Sequence, residues 1–294
     1  MTTGALSATG PYPPGQRAAT WAATALLVVA VGATYSTTLA GLIRQWETDA
    51  NYSHGFLVVP LALYFAWRRR AAVIDAGIRP MWWGLAGACA AMVLYAAGRA
   101  SADLFIARLS LPVLVVSAVA FVLGGRAVRV LAFPLAFIVL MVPLPALLFN
   151  EIAFPLQQMA AAAGEAALRT GGVPVIRQGN VLELSSVSLD VAQACSGVRS
   201  LMTLVAVAAA LGELGRLTGP RRLALIAATI PLALLTNAAR VALTGLAADR
   251  FGPSVVEGLP HTVAGVATFA AAAAALPVID RLLRPRRSAA TVSC

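Results

Sequence analysis

The sequence predicts an all-α integral membrane protein of about eight transmembrane helices, with a small extracytoplasmic helix and β-hairpin insertion. Three observations carry that reading. The 294 residues are 60% hydrophobic and only 12% charged, about half the charge usual in soluble domains. Several apolar runs approach the roughly 20 residues a spanning helix needs. The arginines sit in short clusters between those runs, as cytoplasmic anchors do.

The elements follow in order. Residues 1–19 are rich in Pro, Gly, Ser and Thr, which predicts a disordered cytoplasmic tail. The run from Thr20 to Ile43 exceeds a signal-peptide core and reads as an uncleaved first helix. Further runs at 55–67, 82–98, 104–123, 130–149, 197–214, 223–246 and 262–282 complete the eight. The 55–67 run is short and requires flanking residues or a tilt. Pro134, Pro143 and Pro145 mark the fifth run as bent or broken, which membrane helices tolerate. Residues 20–284 thus form one transmembrane domain, and 285–294 a basic cytoplasmic tail.

One segment departs from this rhythm. The Ala-rich stretch 150–170 predicts an amphipathic helix on the outer face. After it, Val181, Leu182, Leu184, Val187, Leu189 and Val191 supply strand formers around a QGN turn. A hairpin over 173–192 is expected, delivering the chain to Cys195 at the membrane surface.

Charge orients the bundle. With the N-terminus inside, the inner loops hold 14 of the 22 arginines and three of the twelve acids, a net +11. The other side holds eight arginines and nine acids, a net −1, and the two sum to the chain's +10. Both termini are therefore expected in the cytoplasm. A positive charge of this size also suits nucleic acid. The chain has no lysine and no dense basic face with interleaved aromatics, so no nucleic-acid partner is expected. Cys89, Cys195 and Cys294 form no C-x-x-C pair and no metal-ligand spacing. Neither metal nor cofactor is expected.

Three polar residues stand at the predicted outer ends of neighbouring spans. Cys195, in VAQACSGVRS, lies just before the sixth. A free cysteine is most often a small buried hydrophobe. At a helix N-terminus, however, the dipole favours thiolate, and Arg199 lies one turn on. In the seventh span, Asn237 and Arg240 are three residues apart and share a face. Arginine at the centre of a membrane helix costs roughly 2.5–3.5 kcal/mol, so Arg240 is a functional candidate rather than only a side chain reaching for the interface. His261, in GLPHTVAG, opens the eighth span. A histidine at a helix start is usually a cap or surface residue; with the other two it completes a nucleophile, a cation and an acid/base. That set suits attack by a thiolate, proton transfer by imidazole and stabilisation of an oxyanion by guanidinium. His54, in YSHGF, is a lesser candidate. It either orients substrate or caps a helix, with Gly55 giving a turn.

VAQACSGVRSL, NAARVALTG and HTVAG, in this order, resemble the exosortase/archaeosortase family of multispanning membrane cysteine transpeptidases. NYSHGFLVVPLALYFAWRRR is similar to that family's N-terminal signature. The resemblance covers roughly residues 20–284. It implies an eight-helix fold with an outward-facing site of Cys195, Arg240 and His261. It also implies a bacterial inner membrane, and secreted substrates whose C-terminal sorting signal carries a motif such as Pro-Glu-Pro. The enzyme would cut near that motif and pass the protein to a surface acceptor; membrane lipid is the other partner. Gln193 replaces an acid of many relatives, and Val266 an aromatic that often follows the family's glycine. Both leave the substrate motif open. The rival readings are a transporter or channel binding an anion at Arg240, a membrane redox carrier, and a scaffold without chemistry.

Overall fold

The computed structural model describes residues 14–185, 187–191, 197–256 and 258–283. The chain divides into two compact units, residues 1–44 and 45–294. The described part of the first is the long N-terminal portion of α1 (Pro14–Thr48). Proline suits the first helical position, where no N–H is needed, and the helix starts six residues before the Thr20 expected from sequence. The expected tail over 1–13 and the basic tail from 285 lie outside the described residues.

The second unit is built mainly of helices: α2 (Gly55–Arg68), α3 (Arg70–Asp75), α4 (Trp83–Ala100) and α5 (Leu104–Val122) come first. Asp103 caps α5, accepting from the N–H groups of Phe105 and Ile106 at 2.9 and 3.1 Å. α4 and α5 pack antiparallel, Gly84 against Phe121 and Gly98 against Ala107. Then come α6 (Gly125–Val130), α7 (Ala132–Phe137) and a 3₁₀ turn, Ile138–Met141.

α8 (Ala146–Thr170) leaves that broken segment at 85°. The bend falls at Pro143 and Pro145, as the prolines predict. Proline has no N–H for the ladder, and two so close together remove two of its hydrogen bonds within one turn. The stretch 150–170 is not a separate helix but the greater part of α8. It packs along α11 (Thr229–Phe251) in the same direction, Gly164 against Val241 and Leu168 against Gly245.

Three antiparallel strands follow: β1 (Val175–Gln178), β2 (Val181–Leu184) and β3 (Ser188–Asp190). Gln178 pairs with Val181, leaving Gly179 and Asn180 as the loop, with Gly179 at φ +64°. That conformation suits glycine in a two-residue hairpin turn. The third strand, pairing Leu182 with Leu189, goes beyond the hairpin read from sequence. Its short length and interrupted alternation hid it.

α9 (Gly197–Leu214), α10 (Gly219–Ala227), α11 and α12 (Gly258–Leu283) complete the unit. Among the described residues, three helical stretches are long and apolar enough to cross a membrane: α5, α10 with α11, and α12. The bent segment with α8 passes the same test as a broken span. The protein is an all-α membrane protein in its architecture, with a small sheet inserted.

Two apolar clusters hold the site region. Val175, Leu182, Leu189 and Val191 of the sheet segment pack with Ala160, Ala161 and Leu168 of α8 and Val241 of α11. Leu201, Leu204 and Ala208 of α9 pack with Ala233 of α11 and with Ala272 and Leu276 of α12.

Candidate active site

The second cluster sets the geometry. α9, α11 and α12 meet through Leu204, Ala233 and Ala272. One to three turns further along these helices stand Gly197 and Arg199, then Asn237 and Arg240, then Gly265 and His261. The connections require that common end: α9 and α11 run in opposite senses, as do α11 and α12.

Asn237 is buried on α11, on the face that also carries Ala233 and Val241. Arg240 is half-buried. Its guanidinium lies against Gly265 of α12. A Cβ at position 265 would stand 3.0 Å from Arg240 Nη2 and 3.1 Å from Cζ. Gly265 lies four residues after His261, hence on the same helix face and about 6 Å along the axis. The structure thus brings Arg240 to the face of α12 that carries His261. It does not leave the guanidinium stretched out alone towards an interface.

Cys195 lies outside the described residues, and so does the side chain of His261. The chain enters that gap from Val191, buried in the cluster with Val241, and leaves it at Gly197, the first residue of α9. Arg199 is exposed on the first turn of α9.

The His54 ring is tied to the bend between α7 and α8. Its Nε2 donates to the carbonyl of Leu140 at 3.1 Å. Trp46 Nε1 donates to Met141 O at 3.1 Å, and the Tyr52 hydroxyl to Leu144 O at 3.3 Å. These three carbonyls lie at the proline bend. In a continuous helix Met141 O would receive the N–H of residue 145, which is proline. Three side chains from one short segment therefore supply donors that the broken helix lacks. His54 begins α2, yet its side chain caps nothing there. Gly55 is needed for approach rather than for a turn, since a Cβ there would come within 2.4 Å of the Trp46 indole. Burial lowers the pKa of His54, outweighing its hydrogen bonds to the Leu140 and Asn51 backbone. Burial, then the Asp49 charge, raises that of Tyr52, so the phenol remains a donor at neutral pH.

Gly265, Trp46 and Tyr52 escaped the sequence reading. Two prolines one residue apart do announce unmet carbonyls, and the WETDANYSH segment is rich in side-chain donors, three of which reach the bend. Nothing in the sequence pairs the two segments.

The fold defines a multi-pass helical membrane protein in which Arg240 of one helix is seated against Gly265 of the next. The chain belongs to the transmembrane exosortase family, whose model matches residues 46–278. It is thus a membrane sorting protein of exosortase type. Comparison with curated proteins and with solved structures finds no match.

Proposed function

We propose that this exosortase is a cysteine peptidase or transpeptidase acting on the C-terminal sorting signals of secreted proteins at the outer face of a bacterial inner membrane. The observation that carries the reading is the seat of Arg240 on Gly265, one turn from His261. It supports the reading because Arg240 and His261 are two of the three residues singled out by chemistry, and they stand on neighbouring helices. Cys195 precedes the third helix of the same cluster.

The Cys195 thiolate attacks the carbonyl of the scissile peptide bond. The negative charge that forms on that oxygen is met by the Arg240 guanidinium, where a fixed cation is worth more than water. His261 takes the thiol proton and returns it to the departing amine, so the C-terminal fragment leaves neutral. The product is a thioester between Cys195 and the secreted protein. An incoming amine of a surface acceptor, or water, attacks that thioester and restores the thiol. Asn237, beside Arg240 on α11, is a supporting group. Arg199 adds positive potential at the start of α9. The helix dipole acts in the same sense, and both favour the thiolate.

The test is processing in membranes. A tagged substrate with a Pro-Glu-Pro sorting tail is co-expressed with wild-type protein and with Cys195→Ala at matched levels. Cleavage by the wild type and none by the variant is expected. Equal cleavage by both removes Cys195 as the nucleophile. A thiolate also predicts alkylation of Cys195 near neutral pH faster than that of an ordinary thiol; a rate equal to free cysteine from pH 6 to 9 argues against activation.

A further inference from the structure

We propose a second site: the cleft between the C-terminal ends of α2 and α9 binds the phosphate group of an anionic phospholipid. It lies on the side that the arginine distribution assigns to the cytoplasm, away from Arg240 and Gly265.

The cleft is a cavity of about 220 Å³ lined by Phe65, Arg68, Arg69, Glu213 and Arg216. At about 30 Å³ each, that is room for about seven waters, enough for a phosphate with part of its ester. The wall behind it is fixed. Arg69 holds both Glu213 and the Val130 carbonyl. Arg222 holds the other oxygen of Glu213 at 2.9 Å and lies over the Phe133 ring. Glu213 is thereby shared between two arginines. Among the described residues, neither Arg68 nor Arg216 has a carboxylate within ion-pair distance. Four guanidinium groups around one carboxylate leave a local excess of positive charge that an anion relieves.

Arg216 supplies a separate observation. It stands at φ +52°, in the left-handed region just after α9. Glycine is the usual residue there, and an L side chain adopts that conformation less readily. Strain of this kind collects where a side chain serves a ligand, and this side chain lines the cleft.

The surroundings select a lipid over free phosphate. Leu63, Tyr64 and Trp67 of α2 are exposed beside Arg68. They form an apolar strip leading from the mouth of the cleft, where acyl chains run while the headgroup phosphate meets the arginines. Basic pockets between membrane helices take anionic headgroups in this way.

The test uses the full chain in nanodiscs of phosphatidylcholine, with and without phosphatidylglycerol, read by thermal unfolding. Phosphatidylglycerol is expected to raise the Tm of the wild type. For Arg216→Gly and Arg68→Gln its apparent affinity falls roughly tenfold, the loss of one charge-assisted hydrogen bond. Arg99→Gln removes the same charge from the far end of α4 and keeps the full effect. Arg216→Gly also relieves the backbone, so it folds at least as well as wild type in phosphatidylcholine alone. An equal rise in Tm for the wild type and both cleft variants overturns the site. A rise of the same size from inorganic phosphate in phosphatidylcholine nanodiscs overturns the lipid as its source.

Discussion

At the scale of single residues, Gly265 is the most exposed to test. The Arg240 guanidinium occupies the place a side chain would take there. Valine at 265 must push that group away from the α12 face carrying His261. A displacement of about 1 Å in a positioned catalytic group costs about a hundredfold in rate. Gly265→Val is therefore expected to lower substrate processing by about that factor, with its Tm close to wild type. Gly265→Ala asks only a few tenths of an ångström of a flexible guanidinium and should cost a few-fold. Processing that survives Gly265→Val unchanged would show that Arg240 has no fixed place in the reaction. Arg240→Lys should not restore activity, because an ammonium lacks the planar fork that addresses an oxyanion. Arg240 itself is legible in the sequence, since a charge inside an apolar run is costly and demands a reason. Gly265 is not, because a small residue in a small-residue helix carries no mark until the neighbouring helix is seen.

The informative element is the broken helix between α7 and α8. The prolines make its existence legible, but not what stabilises it. Backbone carbonyls at a membrane helix break must find donors within the protein, and here they come from Trp46, Tyr52 and His54, about 90 residues away in sequence. Trp46→Phe keeps most of the packing and strands the Met141 carbonyl. It should destabilise by about 1–3 kcal/mol, readable in thermal unfolding. His54 adds a pH dependence. Its folded pKa lies below the ordinary value of about 6.5, so the unfolded chain binds the proton more readily. The resulting stability is complete above about pH 6.5 and is lost as pH falls through the depressed folded pKa. In His54→Gln the amide can still donate to Leu140 and has nothing to titrate. The Tm of the wild type should therefore fall more steeply than that of His54→Gln as pH is lowered below 6.5. Parallel curves would mean that the imidazole is not held neutral at the bend. Within YSHGF, Tyr52 and His54 donate to carbonyls at the bend, and Gly55 makes room for the Trp46 indole.

At the scale of the whole molecule, the arginine distribution and the fold are independent statements that meet. Arg69 and Glu213 are 144 residues apart, and charge counting alone assigns both to the inner side. In the structure they form an ion pair, joined by Arg222, and Ala72, Asp75, Arg126 and Arg129 line a second cleft. The inner-side arginines of α2, α6, α9 and α10 thus belong to neighbouring helix ends, as one membrane face requires. The sheet segment follows the far end of α8 and packs on Val241, beyond Arg240 along α11. Gln178, in its first strand, and Ala72, in α3, are both exposed and should therefore lie on opposite sides of the bilayer. Single cysteines report this directly, placed at either position after Cys89, Cys195 and Cys294 are changed to alanine. In intact spheroplasts a membrane-impermeant maleimide should label Gln178→Cys and leave Ala72→Cys untouched; after lysis both should label. The inverse pattern would place Arg240 and His261 on the cytoplasmic half, where a secreted substrate never presents its sorting signal, and the proposed reaction would fail with the topology. Labelling of both positions before lysis would mean that the 14 inner-side arginines do not share a side, and the eight-span count would fail first.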